Sequence, residues 1–367
     1  MTNIKKVTVL THRLGDNYGG ILQAYALQRY VRSSLPNATV STTHYNPAPG
    51  LIRRVVSTVG ATVKRRRLYV NSLWVQNQIQ TETRSFLLKY VNQVKILPQD
   101  SDVYIVGSDQ VWRAQYVDPV KYMFGEVENG SAKRISYAAS FGTDNLSEYS
   151  DEQIVRTAEL AKKFNGISVR ESSGVTIVKD DWGLEALHHV DPTLLLDRND
   201  YSELIDSEPT EESADKLFAY VLDRGPQNNE IIKSIETLLG IEYFELMPKK
   251  YQSIVEFLRK KDEYIMPKVE QWLRSFRDAD FIITDSFHGT VFSIIFNKPF
   301  IAIGNRERGL ARFTSLLKIF GLEDRLVVSE SDVTDELINR NIDWDSVNVT
   351  IKEEQKRSFE YLEKCLG

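Results

Sequence analysis

The amino-acid sequence predicts an α/β protein with two Rossmann-like, doubly wound domains that face a cleft. The chain has 367 residues, which at roughly 150 residues per domain is enough for two domains. Short apolar segments alternate with amphipathic ones, as expected of strand–helix–strand units around a parallel sheet. This alternation occurs twice, and the two runs meet near Asp191–Asp215, where the stretch beginning at Asp206 is acidic, polar and rich in turn residues.

The first run begins with a buried strand at Val7–Leu10, followed by a helix over about residues 20–33. In this helix Leu22, Ala26 and Tyr30 recur every four residues and give an apolar stripe, and Pro36 ends it. The other elements predicted in this run are strands at Thr39–His44, Val103–Val106, Arg134–Ala139 and Ile167–Val169, and a helix through Ile154, Ala158 and Ala161.

The second run repeats the alternation. Its predicted elements are strands at Leu217–Leu222, Ile241–Leu246, Phe281–Ile283 and Phe300–Ile303, and helices at Asn228–Leu239, Val269–Arg277 and Thr290–Phe296. We therefore predict an N-terminal domain over 1–200, a C-terminal domain over 201–340, and a terminal helix within 341–367 that docks back across both. Ligands of doubly wound sheets bind beyond the C-terminal strand ends, so chemistry is expected in the loops that follow strands.

Composition excludes several classes of protein. With 42% hydrophobic and 26% charged residues, the chain is neither disordered nor fibrous. Its 46 basic and 51 acidic residues give a net charge of −5, which argues against a globally basic nucleic-acid binder. The single cysteine, Cys365, cannot form an intrachain disulfide, and no signal peptide or run of 18 apolar residues is visible, so a cytoplasmic location is expected. No metal site is expected, because adjacent His188 and His189 point to opposite faces of a strand.

The loop after the strand at Phe281–Ile283 is the sharpest candidate for chemistry. It leads through Asp285 and Ser286 to His288, which is predicted at the N-terminus of a helix beginning near Gly289. A helix N-terminus attracts anions, and Asp285 is close enough in sequence to orient the imidazole. The alternative is that Asp285 and Ser286 cap the helix while His288 packs against the cleft.

Arginines follow two of the predicted strands. Arg170 ends the strand at Ile167–Val169, where a guanidinium would make a two-pronged contact with a carboxylate or phosphate. A structural ion pair with an acid elsewhere is the alternative. Arg306, Arg308 and Arg312 follow the strand at Phe300–Ile303 and make an anion site on the His288 side plausible, whereas scattered surface arginines are the default interpretation.

Two loops in the N-terminal half are suited to polar ligands. Residues 15–20, which include Asn17, Tyr18 and Gly19, join a strand to a helix, although a glycine-rich turn is more often only a turn. Residues 107–112 follow another strand and offer a carboxylate, an amide and an indole, a combination suited to carbohydrate. For Trp112 taken alone, burial in the core is the commoner explanation.

A basic segment lies at Leu51–Val70. It contains six basic residues and no acid, and apolar residues alternate with the charges at spacings compatible with an amphipathic helix. The six basic residues are Arg53, Arg54, Lys64, Arg65, Arg66 and Arg67. Such a helix would lie on an anionic membrane surface, or it would be a solvated helix that covers the N-terminal domain.

Six short motifs, in order along nearly the whole chain, resemble those of the polysaccharide pyruvyl transferases. They are Asn17–Leu27, Gly107–Trp112, Ser136–Gly142, Ser168–Glu171, Asp191–Leu194 and Thr284–Gly289. The resemblance implies a two-domain fold like that of the GT-B glycosyltransferases. It also implies transfer of pyruvate from phosphoenolpyruvate onto a sugar diol, which gives a cyclic ketal and free phosphate. Arg113 departs from the pattern, since many relatives have Asn after the Trp.

The resemblance implies a role for His288 as the acid/base and for Arg170 and Arg308 as donor contacts, and the other roles below are expected from the chemistry and from the predicted loops. His288 is the expected acid/base, and Asp109, or Asp285 through the histidine, would deprotonate the acceptor hydroxyls. The donor contacts expected in the C-terminal domain are Arg306, Arg308, Ser286 and Gly289, and Arg170 of the N-terminal domain is expected to join them. The acceptor contacts expected in the N-terminal domain are Asn17, Tyr18, Gly19, Ser108, Gln110 and Trp112.

No cofactor is expected for this chemistry. The acceptor would be a precursor of a bacterial capsule or exopolysaccharide, linked to undecaprenyl diphosphate if the basic segment contacts the inner face of the membrane. The rival functions are nucleotide-sugar transfer on the same fold and non-catalytic binding of a glycan or anion.

Overall fold

A four-stranded parallel sheet organises the N-terminal half. The computed structural model describes residues 4–45, 72–211, 216–249, 254–304 and 309–367. The strands are β1 (Lys6–Leu10), β2 (Thr39–Thr43), β3 (Val103–Val106) and β4 (Lys133–Ser136), in the order β2-β1-β3-β4. They are short, almost entirely buried and rich in valine and isoleucine, as expected of strands covered on both faces. A further parallel pair, β5 (Ser168–Val169) and β6 (Leu187–His188), extends the sheet beyond β4 through isolated bridges.

This half contains five helices among the described residues. They are α1 (Tyr18–Ser34), α2 (Ser72–Ile79), α3 (Thr81–Tyr90), α4 (Asp151–Ala161) and α5 (Ser172–Asp180). Helix α1 begins two residues before its predicted start, because the side chain of Asn17 caps it by accepting a hydrogen bond from Gly20 N at 3.2 Å. Almost every position of α1 up to Gln28 is buried, so this helix lies inside the molecule.

A five-stranded parallel sheet organises the C-terminal half, in the order β11-β10-β9-β7-β8. Its strands are β7 (Leu217–Tyr220), β8 (Tyr243–Phe244), β9 (Phe281–Thr284), β10 (Phe300–Ile303) and β11 (Leu326–Val327). The helices of this half are α6 (Arg198–Asp206), α7 (Pro226–Leu239), α8 (Ile254–Arg259), α9 (Val269–Asp278), α10 (Phe287–Ile295), α11 (Ala311–Phe320) and α12 (Asp335–Asn339). Strand β8 is much shorter than the predicted Ile241–Leu246, because it is an exposed edge strand with only β7 as a neighbour.

Apolar side chains join the two halves. Tyr18 of α1 stacks on Trp272 of α9 with ring centroids 5.2 Å apart, and its hydroxyl donates to Pro267 O at 2.8 Å. The last helix, α13 (Trp344–Leu366), contributes Val347 to the core around α11, and Tyr361 near its C-terminal end donates to Ser136 O at 2.8 Å. Among the described residues, no helix combines the length and the apolarity needed to cross a membrane.

Candidate active site between the two sheets

A cavity of about 400 Å³ lies where the loops after β1 and β3 face the loops after β7 and β9. This is the position at which doubly wound sheets bind ligands. From the N-terminal half it is lined by His12, Arg13, Asp16, Asn17, Asp109, Gln110 and Tyr116. From the C-terminal half it is lined by Leu222, Asp223, Asp285, Ser286, Phe287, His288, Gly309, Arg312 and Phe313.

His288 occupies the first turn of α10. The side chain of Ser286 caps this helix by accepting from Gly289 N at 3.3 Å, so the helix begins at Phe287, earlier than the predicted Thr290. His288 is only 5% exposed and yet lines the cavity. Gly289 does not line it: a Cβ at Gly289 would overlap Thr284 Oγ1, so this glycine lets α10 pack on the end of β9. The prediction that Gly289 contacts the donor is therefore wrong.

Two residues from the N-terminal half hold the imidazole of His288. Its Nε2 lies 3.5 Å from Asp191 Oδ2, an ion-pair distance when the ring is protonated. A Cβ at Gly19 would overlap Nδ1, so only a glycine at that position leaves room for the ring. Gly19 therefore accommodates His288, rather than the acceptor as predicted.

Asp285 does not orient the imidazole, contrary to the prediction. Its two carboxylate oxygens accept hydrogen bonds from Leu222 N at 2.7 Å and from Asp223 N at 2.8 Å. Asp285 thus joins the loop after β9 to the loop after β7. The carboxylate beside His288 is Asp191, which also accepts from the backbone amide and the hydroxyl of Thr193.

Arg170 is a buried counter-ion. Its side chain is 1% exposed, and it donates from Nη1 to Asp191 Oδ2 at 2.8 Å and from Nη2 to Asp109 Oδ1 at 3.4 Å. Its guanidinium carbon lies 4.4 Å from the ring centroid of Phe287. The structure therefore favours the ion-pair alternative over the predicted contact with the donor.

Asp109 lies in the cavity as a permanently charged carboxylate. Burial by itself would raise its pKa, but Arg170, His12, His288 and Arg312 together outweigh burial and hold the pKa at about 2. The pKa of Asp191 is also held well below its usual range, against the effect of burial, by His288 and Arg170. A general base works best with a pKa near the working pH, so Asp109 is better suited to stabilising positive charge than to accepting a proton, contrary to its predicted role as a base.

Arg312 is the arginine of the C-terminal half that lines this cavity in the described part of the chain. Its Nε is buried without a hydrogen-bond partner, and its guanidinium carbon lies 5.8 Å from the centroid of Phe287. Burial, followed by repulsion from Arg170, lowers its pKa to about 10, so it remains a cation at neutral pH. The predicted donor contacts Arg306 and Arg308 lie outside the described residues.

Some of the predicted acceptor contacts line the cavity and others are buried away from it. Asn17 and Gln110 line the cavity, as does Asp109. Ser108 is fully buried, with Oγ 2.7 Å from Ala138 O and 3.2 Å from Asp191 Oδ2, so it supports Asp191 instead of facing a ligand. Tyr18 and Trp112 are 0% exposed. Their prediction as acceptor contacts is wrong, because both aromatic side chains belong to the apolar core.

Trp112 packs in a cluster of aromatic rings, with Phe141 and Trp182 each 5.2 Å from it between centroids. Next to it, Arg113 is committed to a salt bridge with Glu148 at 3.0 Å. The aromatic side chains that do line the cavity are Tyr116, Phe287 and Phe313.

Three residues that shape the site had no role assigned to them from the sequence: Asp191, which lies beside His288, and Arg312 and His12, which line the cavity. Asp191 stands in one of the recognised motifs, and Arg312 in the run of arginines after β10, so both carried a signal. His12, whose buried Nε2 has no partner among the described residues, carried none beyond its place in the loop after β1. In the same described part of the chain, no group of three or more His, Cys, Asp or Glu is arranged to hold a metal ion.

Comparison with known proteins bears on the fold and the family. The chain resembles UDP-N-acetylglucosamine 2-epimerase from Rickettsia bellii with a TM-score of 0.53 and 10% identity, over 99% of this chain and 96% of that one. The S. aureus MnaA–UDP structure gives a TM-score of 0.49 and 11% identity, over 99% and 97% of the two chains. The parallel sheets and the first likeness confirm the predicted α/β, GT-B-like fold with two Rossmann-like domains.

Sequence comparison identifies the family. No curated protein matches the chain. The family model of the polysaccharide pyruvyl transferases matches residues 17–307, a stretch that contains His288, Asp191, Asp109 and Arg170. The chain therefore belongs to the polysaccharide pyruvyl transferase family and is a transferase enzyme.

Proposed function

We propose that this enzyme transfers pyruvate from phosphoenolpyruvate onto two hydroxyls of a sugar in a polysaccharide precursor, forming a cyclic ketal and releasing phosphate. The observation that carries the proposal is the position of His288, which is buried beside Asp191 and opens onto a cavity shared by both halves of the molecule. This is a suitable place for an acid that must protonate carbon, because the neighbouring carboxylate stabilises the imidazolium.

In the first step, protonated His288 donates its proton to the methylene carbon of phosphoenolpyruvate. The adjacent carbon acquires oxocarbenium character, and the oxygen of the first sugar hydroxyl bonds to it. The proton of that hydroxyl returns to His288. The carboxylate of Asp109 lines the same cavity and stabilises the developing positive charge.

In the second step, the bond between the former enol carbon and the phosphate oxygen breaks, and phosphate leaves with the electron pair. The second hydroxyl then attacks the same carbon, and its proton passes to the departing phosphate. The products are a methyl-bearing cyclic ketal and one phosphate for each ketal. The protonation step is the one to which His288 contributes, and such catalysis typically supplies about 10²–10⁴-fold in rate.

The first prediction concerns His288. We expect His288→Gln to lower ketal formation about 10²–10⁴-fold while the fold is kept, because the side chain remains polar but cannot donate the proton. The measurement is phosphate release together with mass spectrometry of incubations that contain phosphoenolpyruvate and a panel of lipid-linked sugars.

The matched control is His188→Gln, at a histidine outside the cavity that contacts Arg170 O. Turnover by His288→Gln close to that of the wild type would overturn the mechanism. Nucleotide-sugar transfer, the rival on the same fold, predicts consumption of UDP- or GDP-sugars and none of phosphoenolpyruvate.

A further inference from the structure

We propose that Arg312, and not Arg170, is the residue that binds an oxyanion of the donor. The inference deepens the proposed function and rests on it for the identity of the donor. It concerns which of two neighbouring guanidinium groups is available to a ligand.

Arg170 is occupied by the protein itself. Its Nη1 donates to Asp191 and its Nη2 to Asp109, and the ring of Phe287 lies 4.4 Å from its guanidinium carbon. Its Nε, like that of Arg312, is buried without a hydrogen-bond partner, but Arg170 does not line the cavity, whereas Arg312 does. A ligand that drew Arg170 away would leave two buried carboxylates without one of their counter-ions, which is costly.

Arg312 has no such commitment among the described residues. Its Nε is buried and lacks a hydrogen-bond partner, and no carboxylate of the described chain forms a salt bridge with it. The two buried carboxylates that act on Arg312 are bound elsewhere: Asp109 contacts Arg170, and Oε1 of Glu171 accepts hydrogen bonds from Phe141 N and Gly142 N. An oxyanion in the cavity would supply the partner that Arg312 lacks, and a guanidinium contacts carboxylate and phosphate through two parallel hydrogen bonds.

The position of Arg312 places its charge beside the acid. Phe287 precedes His288 in the chain, with ring centroids 5.4 Å apart, and Arg312 lies 5.8 Å from the same Phe287 ring. His288 and Arg312 both line the cavity. A donor whose methylene carbon meets His288 therefore has its anionic groups on the side where Arg312 is available.

The helix that carries Arg312 is attached to the opposite half of the molecule. Ser315 of α11 accepts a hydrogen bond from Ser172 N at 2.9 Å, and the two hydroxyl oxygens lie 3.0 Å apart. A Cβ at Gly309, just before α11, would overlap Gly142 O in the loop after β4. These contacts hold Arg312 at a fixed place relative to Arg170 and Asp109, as a preorganised binding group requires.

The test separates binding from transfer. We expect Arg312→Gln to raise the KM for phosphoenolpyruvate about 10- to 100-fold, the usual effect of losing a charged hydrogen bond, and to leave the KM for the sugar unchanged. Arg312→Lys keeps the positive charge but not the paired N–H donors of the guanidinium, so its KM for phosphoenolpyruvate should lie between those of the wild type and Arg312→Gln. Lys318→Gln, at an exposed lysine on the same helix, is the matched control for loss of one positive charge.

A second readout does not depend on the reaction. Inorganic phosphate and pyruvate are each titrated by calorimetry, and whichever loses affinity in Arg312→Gln identifies the oxyanion that Arg312 binds. Arg170→Gln should instead lower the melting temperature, because it leaves Asp109 and Asp191 buried without their counter-ion.

Four outcomes decide the question. The inference holds if Arg312→Gln weakens binding of phosphate or pyruvate and raises the KM for phosphoenolpyruvate. Unchanged KM and unchanged anion binding in a folded Arg312→Gln enzyme that still forms ketal overturn it, and the proposed function stands. Loss of anion binding in folded Arg170→Lys but not in Arg312→Gln also overturns it. If Arg312-dependent phosphate binding is found but no phosphoenolpyruvate is consumed, Arg312 is an anion receptor and the proposed donor is wrong.

Discussion

Asp109 shows how a single residue in the cavity is perturbed by its surroundings. It lies in the left-handed region with φ of 69°, a conformation that Asp and Asn tolerate better than most residues. Burial works against its charge, while Arg170, His12, His288 and Arg312 favour it, and the result is a pKa of about 2. The carboxylate is therefore ionised at neutral pH, where it pairs with Arg170 and, in the proposed mechanism, stabilises the developing positive charge.

This low pKa predicts an acid-dependent loss of stability. In the unfolded chain an Asp titrates near about 3.9, so the stabilisation from Asp109 is complete above pH about 4 and is lost as pH falls toward about 2. The amount at neutral pH is on the order of 2 kcal/mol. We expect the urea midpoint of the wild type to fall more steeply over this window than that of Asp109→Asn, whose side chain suits the same backbone conformation.

Asp180→Asn, at an exposed carboxylate on α5, is the control and should follow the wild-type curve. Parallel acid limbs for the wild type and Asp109→Asn would show that the carboxylate is not stabilised by its cations in the folded state.

At the scale of elements, the alternation of strands and helices could be predicted from the sequence because each element has its own periodicity. β1, β3, β9 and β10 lie within a residue or so of their predicted bounds, since each is a short apolar run that ends in polar residues. The edge strand β8 was overestimated because edge pairing depends on neighbours that are distant in sequence. Helices α1 and α10 begin earlier than predicted, because Asn17 and Ser286 cap them. For Asn17 the sequence favoured only a ligand contact, and for Ser286 capping was the alternative to one.

The sequence predicts which loops form the site, but it does not predict which of their side chains contact each other. His288, Asp109, Asn17 and Gln110 line the cavity because strand ends meet at one edge of each sheet. The pairing of His288 with Asp191 joins residues 97 positions apart in the sequence. It also crosses from one half of the molecule to the other. No local pattern encodes such a contact, so the sequence favours the nearer Asp285 as the carboxylate that orients the imidazole.

The N-termini of α1 and α10 meet in the cavity, and this contact depends on Gly19. We expect Gly19→Ala to lower kcat about 10²-fold. The added Cβ would overlap His288 Nδ1, so the imidazole has to move away from the position in which it transfers its proton. Stability should also fall, by about 1–3 kcal/mol, because the new Cβ overlaps the Cγ and Cβ of the buried His288 as well. Steady-state kinetics and a thermal melt measure both effects.

Gly20→Ala is the matched control, one residue along the same helix, where the new Cβ would meet only the end of the Asn17 side chain at 3.3 Å. Equal activity of the two variants would show that the imidazole has room beyond Gly19.

At the scale of the whole molecule, the net charge of −5 conceals an uneven distribution. The basic segment at Leu51–Val70 lies outside the described residues, and the first described elements after it in sequence are α2 and α3. There Thr83 donates to Gly15 O at 2.6 Å, and Gln80 lies against Gly15. Gly15 adjoins Asp16 and Asn17, which line the cavity. The described helices that follow the basic segment in sequence therefore contact the loop that lines the candidate active site.

If this segment binds an anionic membrane surface, neutralising it weakens that binding. We expect the triple variant Arg65→Gln, Arg66→Gln, Arg67→Gln to lose about 100-fold in partitioning onto phosphatidylglycerol vesicles, from about 1 kcal/mol per basic residue. Partitioning onto phosphatidylcholine vesicles should be weak for both proteins. The control is the triple variant Lys162→Gln, Lys163→Gln, Lys179→Gln, which removes the same charge from exposed positions of the N-terminal half.

Transfer onto a lipid-linked sugar in vesicles should fall in the arginine variant while transfer onto a soluble sugar is kept, because the membrane contact acts on delivery of the acceptor and not on the chemistry. Equal vesicle binding by the wild type and the arginine variant would show that the basic segment has no part in membrane contact.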